Sequence, residues 1–230
     1  MCDDITLTDH GPWRRLIIHD QGKDVSHLSY APQPVRLGPA AAVRMAGIGG
    51  VGTDPTYRRQ GLARRVFARS LEEMRAEGYA CAGLYTGADI IAHRLYRQFG
   101  FVDTVVAQAA AKLLNPPQFL RARLADLLRG DHLPEEVRTW RAHLQMHLLE
   151  HPPTFLRISH QEVELLPQPP ARVDLTVALS TRTLLGLVWD HLTIDYAASA
   201  RLIEWQGEEA HWRTLAAAFA AHHKILLEGD

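Results

Sequence analysis

The chain has 230 residues, one large domain or two small ones, and 47% of them are hydrophobic, enough to bury a proper core. Its formal net charge is −1, which leaves no global field to draw it to nucleic acid or to an anionic membrane. Two cysteines, Cys2 and Cys81, are too few for a disulfide framework, and no apolar run approaches a membrane-spanning length. The start Met1-Cys2-Asp3-Asp4-Ile5 lacks a basic region followed by an apolar one, so a cytoplasmic protein is expected.

In chain order, residues 5–37 read as successive strands and turns, with a hairpin signal at Asp20-Gln21-Gly22-Lys23-Asp24 between runs 15–19 and 25–30. Residues 43–50 are small and apolar, as a closely packed strand would be. Leu62, Val66, Phe67, Leu71 and Met74 then recur at helical spacing, so a helix starts near Gly61. A helix N-terminus presents unpaired N–H groups and the positive end of the dipole, a phosphate-binding combination. Gly61 lets the backbone approach a ligand, and Arg58, Arg59, Arg64 and Arg65 add positive charge. Residues 79–85 suit a buried strand, Thr86-Gly87 breaks it, residues 88–98 read as a short helix ending at Gly100, and 101–106 as a strand.

After Asn115-Pro116-Pro117 the pattern changes. Residues 119–128 and 135–150 read as two amphipathic helices, 154–159 and 162–166 as strands, and 172–180 as a strand with Val173, Leu175, Val177 and Leu179 on one face. Helices are expected at 181–191 and 208–227, flanking a strand at 200–205 before Gly207. The stripe Leu184, Leu185, Leu187 and Val188 with Trp189 reads as core. Along the expected helix 135–150 and just past its end, His143, His147 and His151 follow an i, i+4, i+8 spacing on one face, at which two imidazoles can chelate zinc. No His-Glu-x-x-His motif accompanies them and Pro152 frays the end, so the reading is a solvated face and no metal site is assigned.

The run Arg58-Arg59-Gln60-Gly61-Leu62-Ala63, with Pro55 and Tyr57 ahead of it, resembles the acyl-CoA signature of the GNAT acetyltransferases, Arg/Gln-x-x-Gly-x-Gly/Ala. Residues 92–101 are similar to that family's ending, Ala-x-x-Leu-Tyr-x-x-x-Gly-Phe. The resemblance implies an α/β (α+β) GNAT fold with a mixed central sheet over residues 1–114 and acetyl-CoA as donor to an amine acceptor. It implies that the stretch from Arg58 and Arg59 through Gln60, Gly61, Leu62 and Ala63 to Arg64 holds the pyrophosphate, its N–H groups from Arg59 onward making the contacts. The backbone of Val51, Gly52 and Thr53 would pair with the pantetheine arm, and Tyr96 would protonate the leaving thiolate. Asp89 falls where relatives often carry an Asn that touches that arm.

Two departures stand out. Residues 5–37 leave too little room for the helical pair that shapes the acceptor site in most members, and residues 44–53 hold none of the carboxylate many members use as a base. His27, Asp54, Asp89, His93, a water chain or a group from the C-terminal region, the terminal carboxylate included, remain open for that role. Residues 115–230 resemble the sterol carrier protein-like fold, a smaller α+β domain, on residues 173–177, 184–192 and 201–207. A GNAT domain followed by such a module partially resembles the enhanced-intracellular-survival acetyltransferases. The functions expected are N-acetyl transfer to a small-molecule or protein amine, with a CoA-binding sensor or a lipid-carrier-like protein as alternatives. An exposed sheet on the appended module makes a homo-oligomer an expectation too.

Overall fold

The computed structural model describes residues 5–37, 41–86, 91–104, 109–189 and 191–228. The chain divides into two compact units, one of Met1–Val35 and Val43–Asn115, the other of Arg36–Ala42 and Pro116–Asp230.

The first unit opens with β1 (Ile5–His10), β2 (Trp13–Asp20), β3 (Lys23–Arg36) and β4 (Ala42–Thr53), with no helix among them in the described residues. The room found too small for a helical pair is taken up by strand. Next come α1 (Leu62–Ala76), β5 (Cys81–Tyr85), α2 (Ile91–Gln98), β6 (Val102–Asp103) and β7 (Ala109–Leu113). The sheet order is β1-β2-β3-β4-β5-β7-β6. Its β4–β5 pair is parallel, whereas β1–β2, β2–β3, β5–β7 and β6–β7 are antiparallel, so the sheet is mixed as expected.

One sheet face carries the core. Leu16, Ile18, Leu28, Tyr30, Ala46 and Ile48 from the strands meet Val66, Phe67, Leu71 and Met74 of α1 and Tyr96 of α2. Burying each large apolar side chain here contributes about 2 kcal/mol of transfer free energy. The expected strand at 101–106 is the two-residue β6, and residues 105–108 lie outside the described residues. Strand β7 had no expectation, because Ala109-Ala110-Ala111 has little intrinsic strand preference. Its pairing with β5, Cys81 opposite Leu113 through Tyr85 opposite Ala109, makes it a strand.

The second unit consists of α3 (Pro116–Leu127), α4 (Glu135–Arg138), β8 (Arg141–Leu148), β9 (Thr154–Ser159), β10 (Glu162–Leu166), β11 (Leu175–Leu179), α5 (Thr181–Val188), α6 (Ile194–Ser199), β12 (Ile203–Gly207) and α7 (Glu209–Glu228). Its sheet runs β10-β9-β8-β11-β12, with β8 and β11 parallel. The long helix expected at 135–150 is a correction. Only the one-turn α4 forms, and β8 follows, burying Ala142, Leu144, Met146 and Leu148 at period two. The ladders to β9 and β11 on both sides decide between two periods that the residues alone allow. His143 and His147 therefore share the outer face of a strand, and His151 lies beyond it. The strand expected at 200–205 sits at Ile203–Gly207, behind α6, whose Thr193 hydroxyl caps the amide of Tyr196. Inside this unit a buried Arg123 donates to Leu37 O and to Asp126 at 3.2 Å, and its Nη1 lies 3.1 Å from Nε2 of His222. Such a cluster is far costlier to break at one member than to keep whole.

Candidate functional site

Strand β4 is where the sheet parts. Its ladder with β5 runs from Met45–Cys81 to Ile48–Leu84, and Gly49 through Thr53 continue past the last pair. Gly50 takes a positive φ of 59°, a kink that glycine accommodates without strain. The far end is tied to β3 alone: Asp54 N donates to Val25 O at 2.9 Å, and the buried Ser26 hydroxyl donates to Gly52 O at 3.1 Å and lies 2.9 Å from Thr53 Oγ1. One edge of this stretch is thus left without a strand neighbour among the described residues. Ser26 carries no motif signal, because its role depends on a cross-strand register.

The chain then makes a single 3-10 turn, Pro55–Tyr57. Asp54 organises it, accepting from Thr56 N at 2.9 Å and from Lys23 at 2.7 Å, and Tyr57 donates to Asp20 at 2.8 Å. The Lys23 partner, with the Thr56 bonds, holds the Asp54 carboxyl well below the usual carboxylate range. It stays ionised and bonded, a poor proton acceptor.

Arg59 and Gly61 both adopt left-handed backbone, φ 64° and 77°, and the latter is the N-cap of α1 with no side-chain cap. A Cβ on Gly61 would meet nothing within 4 Å, so the glycine is required by conformation rather than by space. Arg65 N closes onto Gly61 O at 3.1 Å, and the amides of Leu62, Ala63 and Arg64 before it have no helical acceptor. Such a turn with left-handed residues running into a bare helix N-terminus is an anion nest. Arg58, Arg59 and Gln60 are exposed around it, while the Leu62 side chain is buried in the core. Arg58 Nε reaches Thr53 O at 3.5 Å, and Arg64 pairs with Gln98 and lies over the Phe99 ring. Val51 packs against the core cluster.

Tyr96 is buried, its ring centroid 5.4 Å from Phe67 and 6.3 Å from Phe101. The motif's glycine explains the placement. Gly100, at φ 77°, ends the helical run, and Phe101 N turns back to Tyr96 O at 3.1 Å. Burial pushes the phenol pKa up, so it keeps its proton, and its hydroxyl makes no hydrogen bond to a described residue. Asp89 lies outside the described residues.

The sheet face away from α1 and α2 is different. Along β4, four glycines face side chains from β2 and β3. A Cβ would stand 2.7 Å from Gln33 at Gly47, 3.4 Å from Trp13 at Gly49, 3.7 Å from Ser29 at Gly50 and 2.8 Å from the His27 ring at Gly52. Of the open base candidates, His93 is held by Asp103 at 2.7 Å. His27 makes no hydrogen bond to a described residue, and burial, then the Arg15 charge, lower its pKa against the pull of Asp24.

Residues 6–102 match the family model of an acetyltransferase (GNAT) domain. No curated protein matches the chain. Similar solved structures include a GCN5-related N-acetyltransferase from Kribbella flavida, 14% identical with a TM-score of 0.54, over 89% of this chain and 84% of that one. Another from Anabaena variabilis is 13% identical with a TM-score of 0.57, over 90% and 86%. Eis1 from Mycobacterium abscessus is 13% identical with a TM-score of 0.51, over 90% and 88%. At these identities the likeness is one of fold. The mixed sheet, the parted β4 and the nest before α1 all lie within residues 6–102, which match the GNAT acetyltransferase domain model and share the fold of these structures.

Proposed function

We propose that the protein is an N-acetyltransferase that moves the acetyl group of acetyl-CoA to a primary amine by direct attack. The observation that carries this reading is the stretch of β4 beyond Ile48, without a strand neighbour on one edge among the described residues and ending at the bare N-terminus of α1. A pantetheine arm needs strand-like N–H and C=O partners, and a pyrophosphate needs backbone N–H groups with positive charge. The two stand here in one continuous run, Val51 to Arg64.

In the reaction the neutral amine attacks the thioester carbonyl. The N–C bond forms, an oxyanion develops, and the C–S bond breaks as the electrons leave on sulfur. Backbone N–H near Gly52 would stabilise the oxyanion. The protonated, buried Tyr96 would give its proton to the thiolate, in keeping with its raised pKa and with a hydroxyl that bonds to no described residue. We also assign residues 115–230 a sterol carrier-like fold. The order β11, α5, α6, β12, α7 supports it, as does Gly207, where a Cβ would stand 2.2 Å from Asp174 O.

The test is thiol release from acetyl-CoA across a broad panel of amines. Activity that falls about 10²-fold in Tyr96→Phe, with acetyl-CoA affinity retained, supports the reading. Tight CoA binding with no release for any amine favours the sensor reading, which the absence of a carboxylate in residues 44–53 also recommends.

A further inference from the structure

We propose that His27 is the general base that takes the proton of the attacking amine. The inference rests on the acetyl-transfer reading and supplies the acceptor-side group that β4 itself lacks.

The geometry is cross-strand. His27 sits on β3, and its ring lies against Gly52, with Cε1 2.8 Å and Nε2 3.1 Å from where a Cβ would be. A side chain of any size at residue 52 would occupy the place of the imidazole. Glycine at this point of β4 therefore makes room for a base delivered from the neighbouring strand. Leu28 and Tyr30 of β3 belong to the core cluster on the side of α1 and Tyr96, Val51 of β4 packs against it, and Val25 joins the same core where the β2–β3 ladder shifts register. His27 and Gly52 alternate with Leu28 and Val51, and so point to the other side. The acid on sulfur and the base on nitrogen then approach a thioester bound along β4 from opposite sides. Direct attack is served by that arrangement, since the group that takes the proton of the entering amine and the group that protonates the departing thiolate do not compete for one space.

The charged groups around the ring fit the role. From β2, Ile17 is the register partner and Arg15 the nearby cation. From β3, Asp24 is the nearby anion, itself paired with His19 at 2.9 Å and Arg15 at 4.0 Å. From β4 the ring lies against Gly52. Burial and Arg15 favour the neutral imidazole, the form that accepts a proton, while Asp24 supports the imidazolium that results. As the amine nitrogen bonds to the acetyl carbon, its proton passes to a ring nitrogen of His27 and then to solvent.

The experiment uses the full-length protein with the best amine of the panel and follows kcat/KM against pH. In the wild type the acid-side limb falls below the ordinary histidine value near ~6.5. In His27→Gln that limb disappears and kcat drops about 10²-fold, with acetyl-CoA affinity by calorimetry unchanged. Exogenous imidazole restores part of the activity of His27→Ala, which a merely structural role would not allow. If His27→Gln keeps its kcat within about threefold, or the limb persists, the base lies elsewhere and the acetyl-transfer reading stands. Should the wild type release no thiol with any amine, that reading falls and takes the base with it. A His27 variant that loses acetyl-CoA binding shows a role in shaping β4, which also overturns the proposal.

Discussion

Gly61 and Gly52 stand nine residues apart in one motif-bearing run, yet they are glycine for opposite reasons. At Gly61 there is open space around a Cβ, but φ is 77° and only the backbone conformation excludes a side chain. Gly52 has no such backbone demand, and there the His27 ring excludes a side chain. On the proposed reading the first belongs to the donor side, a turn made by consecutive residues from Asp54 to Arg65. On the same reading the second belongs to the acceptor side, whose side chains Trp13, His27, Ser29 and Gln33 are brought against β4 by strand register. A binding surface made of backbone can be written in a short run of residues. One made of side chains needs the sheet before it exists.

Substituting the two glycines is the most direct way to break this comparison. Gly61→Val puts a β-branched residue into left-handed backbone, which costs about 1–2 kcal/mol and tips the turn out of its nest. Loss of two charge-assisted N–H contacts at about 1.5 kcal/mol each lowers acetyl-CoA affinity by roughly 10²-fold. Calorimetry checks it, and affinity retained within about threefold would remove the cradle from the argument. Gly52→Val acts on the other side. It displaces the His27 ring, so turnover falls toward that of His27→Gln, about 10²-fold, with only a few-fold change in donor affinity. Equal damage to both quantities would mean that the two sides of β4 are not separable.

The pH response sharpens the same contrast, because each side holds one group with a depressed pKa. A depressed carboxyl adds stability above its unfolded value near ~3.9, lost as pH falls through the folded value. The melting-temperature gap between wild type and Asp54→Ala is therefore constant from neutral pH to about pH 5 and closes only at strongly acid pH. A depressed histidine follows the same sign around its own value. His27 leaves the wild type increasingly destabilised relative to His27→Gln as pH falls below about 6. Melting curves of the three proteins across pH 3–8 separate the two windows; a single shared window would contradict the assignments.

What was legible in the residues follows the divide between local and register-built structure. The turn at 54–61 and the Tyr96 helix with its Gly100-Phe101 end are local, and both stand where their motifs point. Strands β9 and β10, bounded by prolines and a tight turn, fall on the residues expected. Strand β8 stands where the amphipathic pattern of 135–150 predicts helix, and His143 and His147, four apart, share a face in either geometry. The deciding alternation of Ala142, Leu144, Met146 and Leu148 gains force only from β9 and β11 on either side. His27 was one candidate among several for the same reason. Nothing in residues 25–30 announces that Gly52 will lie beside it.

The smallest expected effect is the most discriminating about the row as a whole. At Gly47 a Cβ would stand 2.7 Å from Gln33 Cδ, a tighter approach than at Gly52. Gln33 is exposed and ends in a flexible amide, so it swings aside, whereas the imidazole of His27 is a rigid ring beside a shorter stem. Gly47→Ala is thus expected to change stability by at most about 0.5 kcal/mol and turnover by less than about threefold. Ser29 and Trp13, at 3.7 and 3.4 Å from where a Cβ would stand on Gly50 and Gly49, already leave ordinary contact distance. If Gly47→Ala lowers kcat as far as Gly52→Val does, the acceptor side works as one coupled row and His27 has no special standing in it. A small effect at Gly47 beside a large one at Gly52 locates the chemistry at the single ring that lies against the donor's strand.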